Sequence, residues 1–186
     1  MRSLVLAAVA ALLCAAPAGA TPPRNVVNDA VGDWPVASQD ITAARVSTVR
    51  VGGKPALRAV LTLAKPADGV AQYGVSVVNG YEWWTLAARN LGGGDMEDVY
   101  LEHGTSSSGV MPGKSEKAPA TVRVVGNTVE ITAPYAVGLR KGLRMMSLSA
   151  GASPFFTGIQ AGHGLGQDGY VVSGDLALGN VDYTLG

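Results

Sequence analysis

The chain has 186 residues, of which 47% are hydrophobic and only 15% charged, with 14 basic residues set against 14 acidic ones. A chain of this length suits one ordinary domain with a core of its own. The even charge balance excludes a general nucleic-acid binder, which needs a basic face, and disfavours a protein held to membranes by charge.

The first twenty residues, MRSLVLAAVAALLCAAPAGA, have the layout of a secretory leader. Arg2 supplies a positive start, Leu4 to Ala16 form an apolar run, Pro17 breaks it, and Ala18-Gly19-Ala20 offers the small-x-small pattern that signal peptidase accepts. Cleavage is expected after Ala20. Cys14 follows Leu12-Leu13 rather than the small residue a lipoprotein signal requires, so lipidation is not expected. Removal of residues 1–20 leaves 166 residues, with 13 basic against 14 acidic and therefore a net charge of −1. It also removes the only cysteine. The mature domain, residues 21–186, must hold its fold through its core alone, without a disulfide.

Beyond a short lead-in at 21–27, the stretch Asn28-Asp-Ala-Val-Gly-Asp-Trp-Pro is rich in turn residues. Ile41 to Val51 reads as a strand; Gly52-Gly53 closes it and Leu57 to Leu63 returns, a β-hairpin pattern. Tyr73, Val75 and Val77 alternate with small residues up to Asn79-Gly80, a hairpin turn signal. Tyr81 to Ala88 follows, with Trp84, Leu86 and Ala88 on one face and Trp83 and Thr85 on the other. Met96 to His103 places Val99 and Leu101 opposite Asp98, Tyr100 and Glu102. Residues 104–119 read as a loop. Val122 and Val124, then Val129 and Ile131, alternate with polar residues around Gly126-Asn127, giving another hairpin that Pro134 ends. Residues 135–144 read as a helical turn or irregular corner. Met145–Ala150, Tyr170–Ser173 and Val181–Leu185 complete the strands, with a loop over 161–169. No window sustains a helical period. About eight or nine strands at this spacing predict an all-β, antiparallel two-sheet β-sandwich.

The stretch NDAVGDWPVASQDI at residues 28–41 resembles the opening of exported bacterial β-sandwich domains of the DOMON-like and family 9 carbohydrate-binding kind. The motif itself covers residues 29–41, and the resemblance of the remainder is one of layout. It implies two packed antiparallel sheets and, in some members, a bound Ca²⁺ or sugar. Carried onto this chain, the implied metal ligands are Asp29, Asp33 and Asp40, with Gly32 allowing a tight turn. Ca²⁺ takes about six to eight oxygen ligands, which a turn can aim at one point. The alternative is that Asp29 and Asp40 cap turns through their own backbone.

Trp34 and Trp83 are the candidate ligand-contacting residues, because flat indole rings stack on apolar sugar faces. Alternation assigns Trp84 to the core and Trp83 to the opposite surface. Catalytic signals are sparse. His103 and His163 stand beside glycines in expected loops, Ser106-Ser107-Ser108 lacks a G-x-S-x-G elbow, and no metal-ligand spacing of H-E-x-x-H or C-x-x-C type occurs. Asp95, Glu97, Asp98 and Glu102 fit a solvated strand better than a glycosidase pair. Gly164-x-Gly166-x-x-Gly169 lacks the strand and helix of a dinucleotide site. The leading expectation is a secreted, non-enzymatic module that binds Ca²⁺, a carbohydrate or a protein, with no nucleic acid and no membrane insertion after leader removal. Alternatives are an exported carbohydrate-active or other hydrolytic enzyme using Asp98, Glu102 or His103, and a structural envelope protein without a small ligand.

Overall fold

A computed structural model describes residues 24–67, 70–91, 96–105, 115–153 and 175–186. The expected leader, the Tyr170–Ser173 strand, the 161–169 loop and His163 lie outside these residues. The described chain forms eleven strands: β1 Val26–Asn28, β2 Ile41–Val51, β3 Lys54–Leu63, β4 Val70–Asn79, β5 Glu82–Leu91, β6 Met96–Thr105, β7 Glu116–Pro119, β8 Thr121–Val125, β9 Thr128–Pro134, β10 Arg144–Ser153 and β11 Asp175–Thr184. The count exceeds the expected about eight or nine because β1 and β7 are too short to display a period of two. For the same reason β7 falls inside the stretch expected to be a loop.

Two antiparallel sheets result, one ordered β1-β2-β3-β9-β8 and the other β11-β10-β4-β5-β6-β7. Alternating apolar residues face each other across the gap. Leu57, Leu61, Leu63 and Ile131 project from the five-stranded sheet, and Tyr73, Trp84, Leu86, Leu101 and Leu148 from the other, all fully buried. Stacked inner faces of this kind leave a core about 10 Å thick. A bulge between Ile41 and Ala43 lets Ile41 and Ala44 both point inward, which strict alternation would forbid. A second irregularity, opposite Ala87 and Arg89, accommodates Asp98 at a φ of 48°.

Two-residue loops set the hairpin registers. Gly52 and Gly53, with φ of 56° and 79°, join Val51 to its partner Lys54, and two positive φ values make the type I′ turn that only such residues tolerate. Asn79 pairs with Glu82, so the next turn is Gly80-Tyr81 rather than the expected Asn79-Gly80.

Both long sides of the sandwich are stitched. On one, Asp182 N–H donates to Arg24 O at 2.8 Å, linking the ends of the two edge strands, and Val27 packs so closely on Gly179 that a Cβ there would lie 2.7 Å from its methyl. On the other, the chain itself passes from β7 to β8 at Ala120 and so changes sheet. Among the described residues no helix is long and apolar enough to cross a membrane.

One end of the sandwich is closed by a polar knot around Thr48. Its N–H donates to Tyr183 Oη at 2.6 Å, and that phenol donates to Thr48 Oγ1 at 3.0 Å. Tyr135 Oη lies 3.1 Å from the same Oγ1, and Gly186 N–H donates to it at 3.0 Å. One hydroxyl therefore ties β2, β11 and the segment after β9. Thr48→Val keeps the shape but strands several donors, and is expected to lower the unfolding free energy by about 1–3 kcal/mol. Urea denaturation of the variant reads this directly, and a midpoint equal to wild type would show the knot to be energetically idle.

Candidate functional site

The connection between β1 and β2, residues 29–40, is fastened by its backbone. Asp29 N–H donates to Thr42 O at 3.0 Å, prolonging the β1–β2 ladder by one rung. Farther along, Ala64 N–H donates to Asp40 O at 2.8 Å, Lys65 N–H to Ala37 O at 3.1 Å, and the core Tyr73 hydroxyl to Ser38 O at 2.9 Å. These contacts drag Ser38, Gln39 and Asp40 below the surface, and Asp40 is only 1% exposed.

The carboxylates do part of what capping predicts. Asp29 Oδ1 accepts from Ala30 N–H at 2.9 Å, and Asp40 Oδ2 from Gly32 N–H at 2.7 Å. Gly32 has a φ of 87°, the left-handed geometry that lets its N–H turn back toward Asp40. Capping leaves the other oxygens unused. Asp29 Oδ2, Gln39 Oε1 and Asp40 Oδ1 are buried without a hydrogen-bond partner, as is Trp34 Nε1. The ion pairs among the described residues are Arg89–Asp98, His103–Glu82 and Arg144–Asp182, so no basic side chain neutralises Asp40. A buried, incompletely solvated carboxylate is costly unless something compensates it.

Of the three expected ligands, Asp29 and Asp40 each keep a buried oxygen without a partner. Asp33 is exposed, and among the described residues no group of three or more His, Cys, Asp or Glu is placed to hold a metal. Asp29, Asp33 and Asp40 therefore do not converge as a set. The same connection holds another buried oxygen without a partner, Gln39 Oε1, which an amide's lack of acidic signature keeps out of a search for metal ligands. Hard oxygen donors of this mixed kind, carboxylate plus amide, belong to Ca²⁺ chemistry rather than to zinc or redox metals.

The two candidate ligand-contacting tryptophans differ in setting. Trp34 is half-buried in the 29–40 connection, which is anchored beside Tyr73. Trp83 starts β5 opposite Val78, five residues or about 17 Å along the sheet from Tyr73. Its ring lies flat against Gly104, where any Cβ would overlap it, and it is 9% exposed. Trp84 is fully buried as expected, and its indole N–H donates to Val137 O at 2.9 Å.

His103 carries two readings, as the last residue of the Met96–His103 strand and as a loop residue beside Gly104, and the strand reading holds. It belongs to β6, not to a loop, and stacks on Trp84 with ring centroids 4.8 Å apart and 15° between planes. Its Nε2 is 3.5 Å from Glu82 Oε1. Asp98 is drawn to Arg89 at 3.3 Å. Lys117 Nζ sits 3.9 Å over the Tyr100 ring, a cation–π contact.

No family model, curated protein or solved structure matches this chain.

Burial pushes the Tyr100 phenol up, aided by Glu102 and Asp98 and opposed by Arg89 and a hydrogen bond with Gln72. Burial raises Tyr135 as well, against a hydrogen bond with Thr48. A group raised in the folded state favours folding fully below its unfolded value, about 10 for tyrosine, and loses that contribution as pH rises through the folded value. Stability should therefore fall on the alkaline side. Tyr100→Phe is expected to flatten that fall in urea titrations taken from about pH 8 upward, and an unchanged slope would remove Tyr100 from the account.

Proposed function

We propose that this chain is an exported, non-enzymatic β-sandwich module whose 29–40 connection takes up Ca²⁺. The observation that carries the reading is the trio of buried oxygens, Asp29 Oδ2, Gln39 Oε1 and Asp40 Oδ1, left without partners in one short connection. Buried acceptors lacking a donor call for an ion or a water, and Asp40, almost wholly buried with no basic neighbour in an ion pair, calls for positive charge. Asp29, Gln39 and Asp40 would supply side-chain oxygens, and backbone carbonyls and water the remainder of the about six to eight that Ca²⁺ takes. The resemblance of residues 29–41 to DOMON-like and family 9 carbohydrate-binding openings supports the same reading. So does the leader, since weak extracellular Ca²⁺ modules work at dissociation constants of about 10⁻⁴–10⁻³ M. The role of the ion is structural: it would neutralise Asp40 and hold the connection against the end of the five-stranded sheet.

Thermal melting of the mature chain in Ca²⁺ and in chelator tests this. At a hundredfold excess over the dissociation constant a bound ion stabilises by about 2.7 kcal/mol, which for a chain of this size raises Tm by about 5–10 °C. Asp40→Asn, which preserves size and the cap on Gly32, should abolish the increment, while Asp33→Asn should leave it intact. A melting midpoint indifferent to Ca²⁺ would dismiss the proposal.

A further inference from the structure

The outer face of the five-stranded sheet carries unsatisfied positive charge. Cross-strand register sets Ser47, Arg58, Thr132 and Thr121 in one row across β2, β3, β9 and β8, with Arg45, Val60, Glu130 and Arg123 in the adjacent row. Over these rows lies an open groove of about 290 Å³ whose lining includes Arg50, Arg58, Arg123, Thr121, Thr132 and one carboxylate, Glu130. Two guanidinium groups of this lining, those of Arg58 and Arg123, share this face with one carboxylate, in contrast with a chain whose basic and acidic residues are equal in number.

Arg50 Nη1 is spent on the β2–β3 turn, donating to Gly53 O at 2.9 Å, whereas Arg58 and Arg123 are not engaged in this way. Arg58 Nε is buried without a hydrogen-bond partner, and so is the Oγ of Ser47, its cross-strand neighbour. Glu130 stands opposite Arg123 in the register, yet neither it nor Arg58 nor Arg123 takes part in an ion pair among the described residues. A partly buried guanidinium edge suits an anion, because its parallel N–H groups match the two oxygens of a carboxylate. No aromatic residue lines the groove, so it offers nothing for nucleobases to stack on. Glu130 would repel a dianionic phosphate ester more strongly than a singly charged carboxylate. The threonine hydroxyls suit a polyhydroxylated ligand, and the flanking Val49 and Val51 suit the apolar faces of sugar rings.

From this charge complementarity we infer that the groove binds a uronate-bearing polysaccharide, with Arg58 and Arg123 holding its carboxylates. The site is remote from the 29–40 connection and independent of Ca²⁺ there. Affinity electrophoresis of the full mature chain is run in chelator through gels containing polygalacturonate, its methyl ester, dextran sulfate or polyglutamate. Retardation by polygalacturonate, lost on methyl esterification and reduced by added salt, is expected. Arg58→Gln and Arg123→Gln should each weaken it by about tenfold or more, Glu130→Gln should strengthen it, and Lys141→Gln, outside the groove, should leave it unchanged. All four replacements are at partly or fully exposed positions, and melting curves confirm that each variant is folded. No retardation of wild type by polygalacturonate, equal retardation by its methyl ester, retention on dextran sulfate or polyglutamate alone, or a folded Arg58→Gln/Arg123→Gln double variant that binds like wild type would each overturn the assignment. Because Ca²⁺ is chelated throughout, failure here leaves the melting test of the 29–40 connection untouched, and the reverse.

Discussion

Trp84 and Tyr73 set the constraint under which this sandwich is built: each must keep a large ring dry while satisfying one polar atom. Both rings are fully buried between the sheets. Their polar tips leave the core in different directions, the Trp84 N–H to Val137 O and the Tyr73 hydroxyl to Ser38 O. An amphipathic aromatic of this type anchors whatever backbone accepts its hydrogen bond. Water exclusion in the core is thereby coupled to the geometry of the corner after β9 and of the connection before β2. The first holds Val137 at a φ of 43°, a conformation that a β-branched residue adopts only when its surroundings impose it.

The same coupling explains where chemistry collects. With a single cysteine in the chain no internal disulfide can form, so strand pairing and core packing must position every connection. Tyr73 pulls Ser38 inward, and Gln39 and Asp40 follow it below the surface. The unpartnered oxygens of the 29–40 connection are thus a consequence of tying a polar loop to an apolar core. The outer faces of the two sheets obey different rules. On the six-stranded sheet, Ser76 and Thr85 satisfy each other at 2.6 Å in a buried pair, and Trp83 covers Gly104. On the five-stranded sheet, Arg58 and Arg123 face a groove without partners.

Much of the architecture was legible. Period two, punctuated by Gly and Pro, was enough to identify antiparallel strands in two layers, the core role of Trp84 and the outward placement of Trp83. The hairpin joining β2 to β3 could be read because Gly52-Gly53 leaves few turn types open. Short elements escaped notice. Three residues in β1 and four in β7 are too few for alternation to emerge from chance. The bulge at Ile41–Ala43 was hidden for a related reason, since a single inserted residue resets the pattern while leaving composition unchanged.

Residue types and local spacing, then, determined what the chain could decide by itself: strands rather than helices, which residues face inward along each strand, and a turn near Asp29 and Asp40. Which strands become neighbours was settled only in three dimensions, because β3 meets β9, and β4 meets β10, across long stretches of intervening chain. Tertiary structure also left Asp33 exposed, buried Gln39 and Asp40, and brought His103 onto Trp84. It aligned Arg58 with Arg123 on one face. Such placements depend on register between distant segments, and register is fixed by the summed burial of entire faces rather than by any local sequence signal.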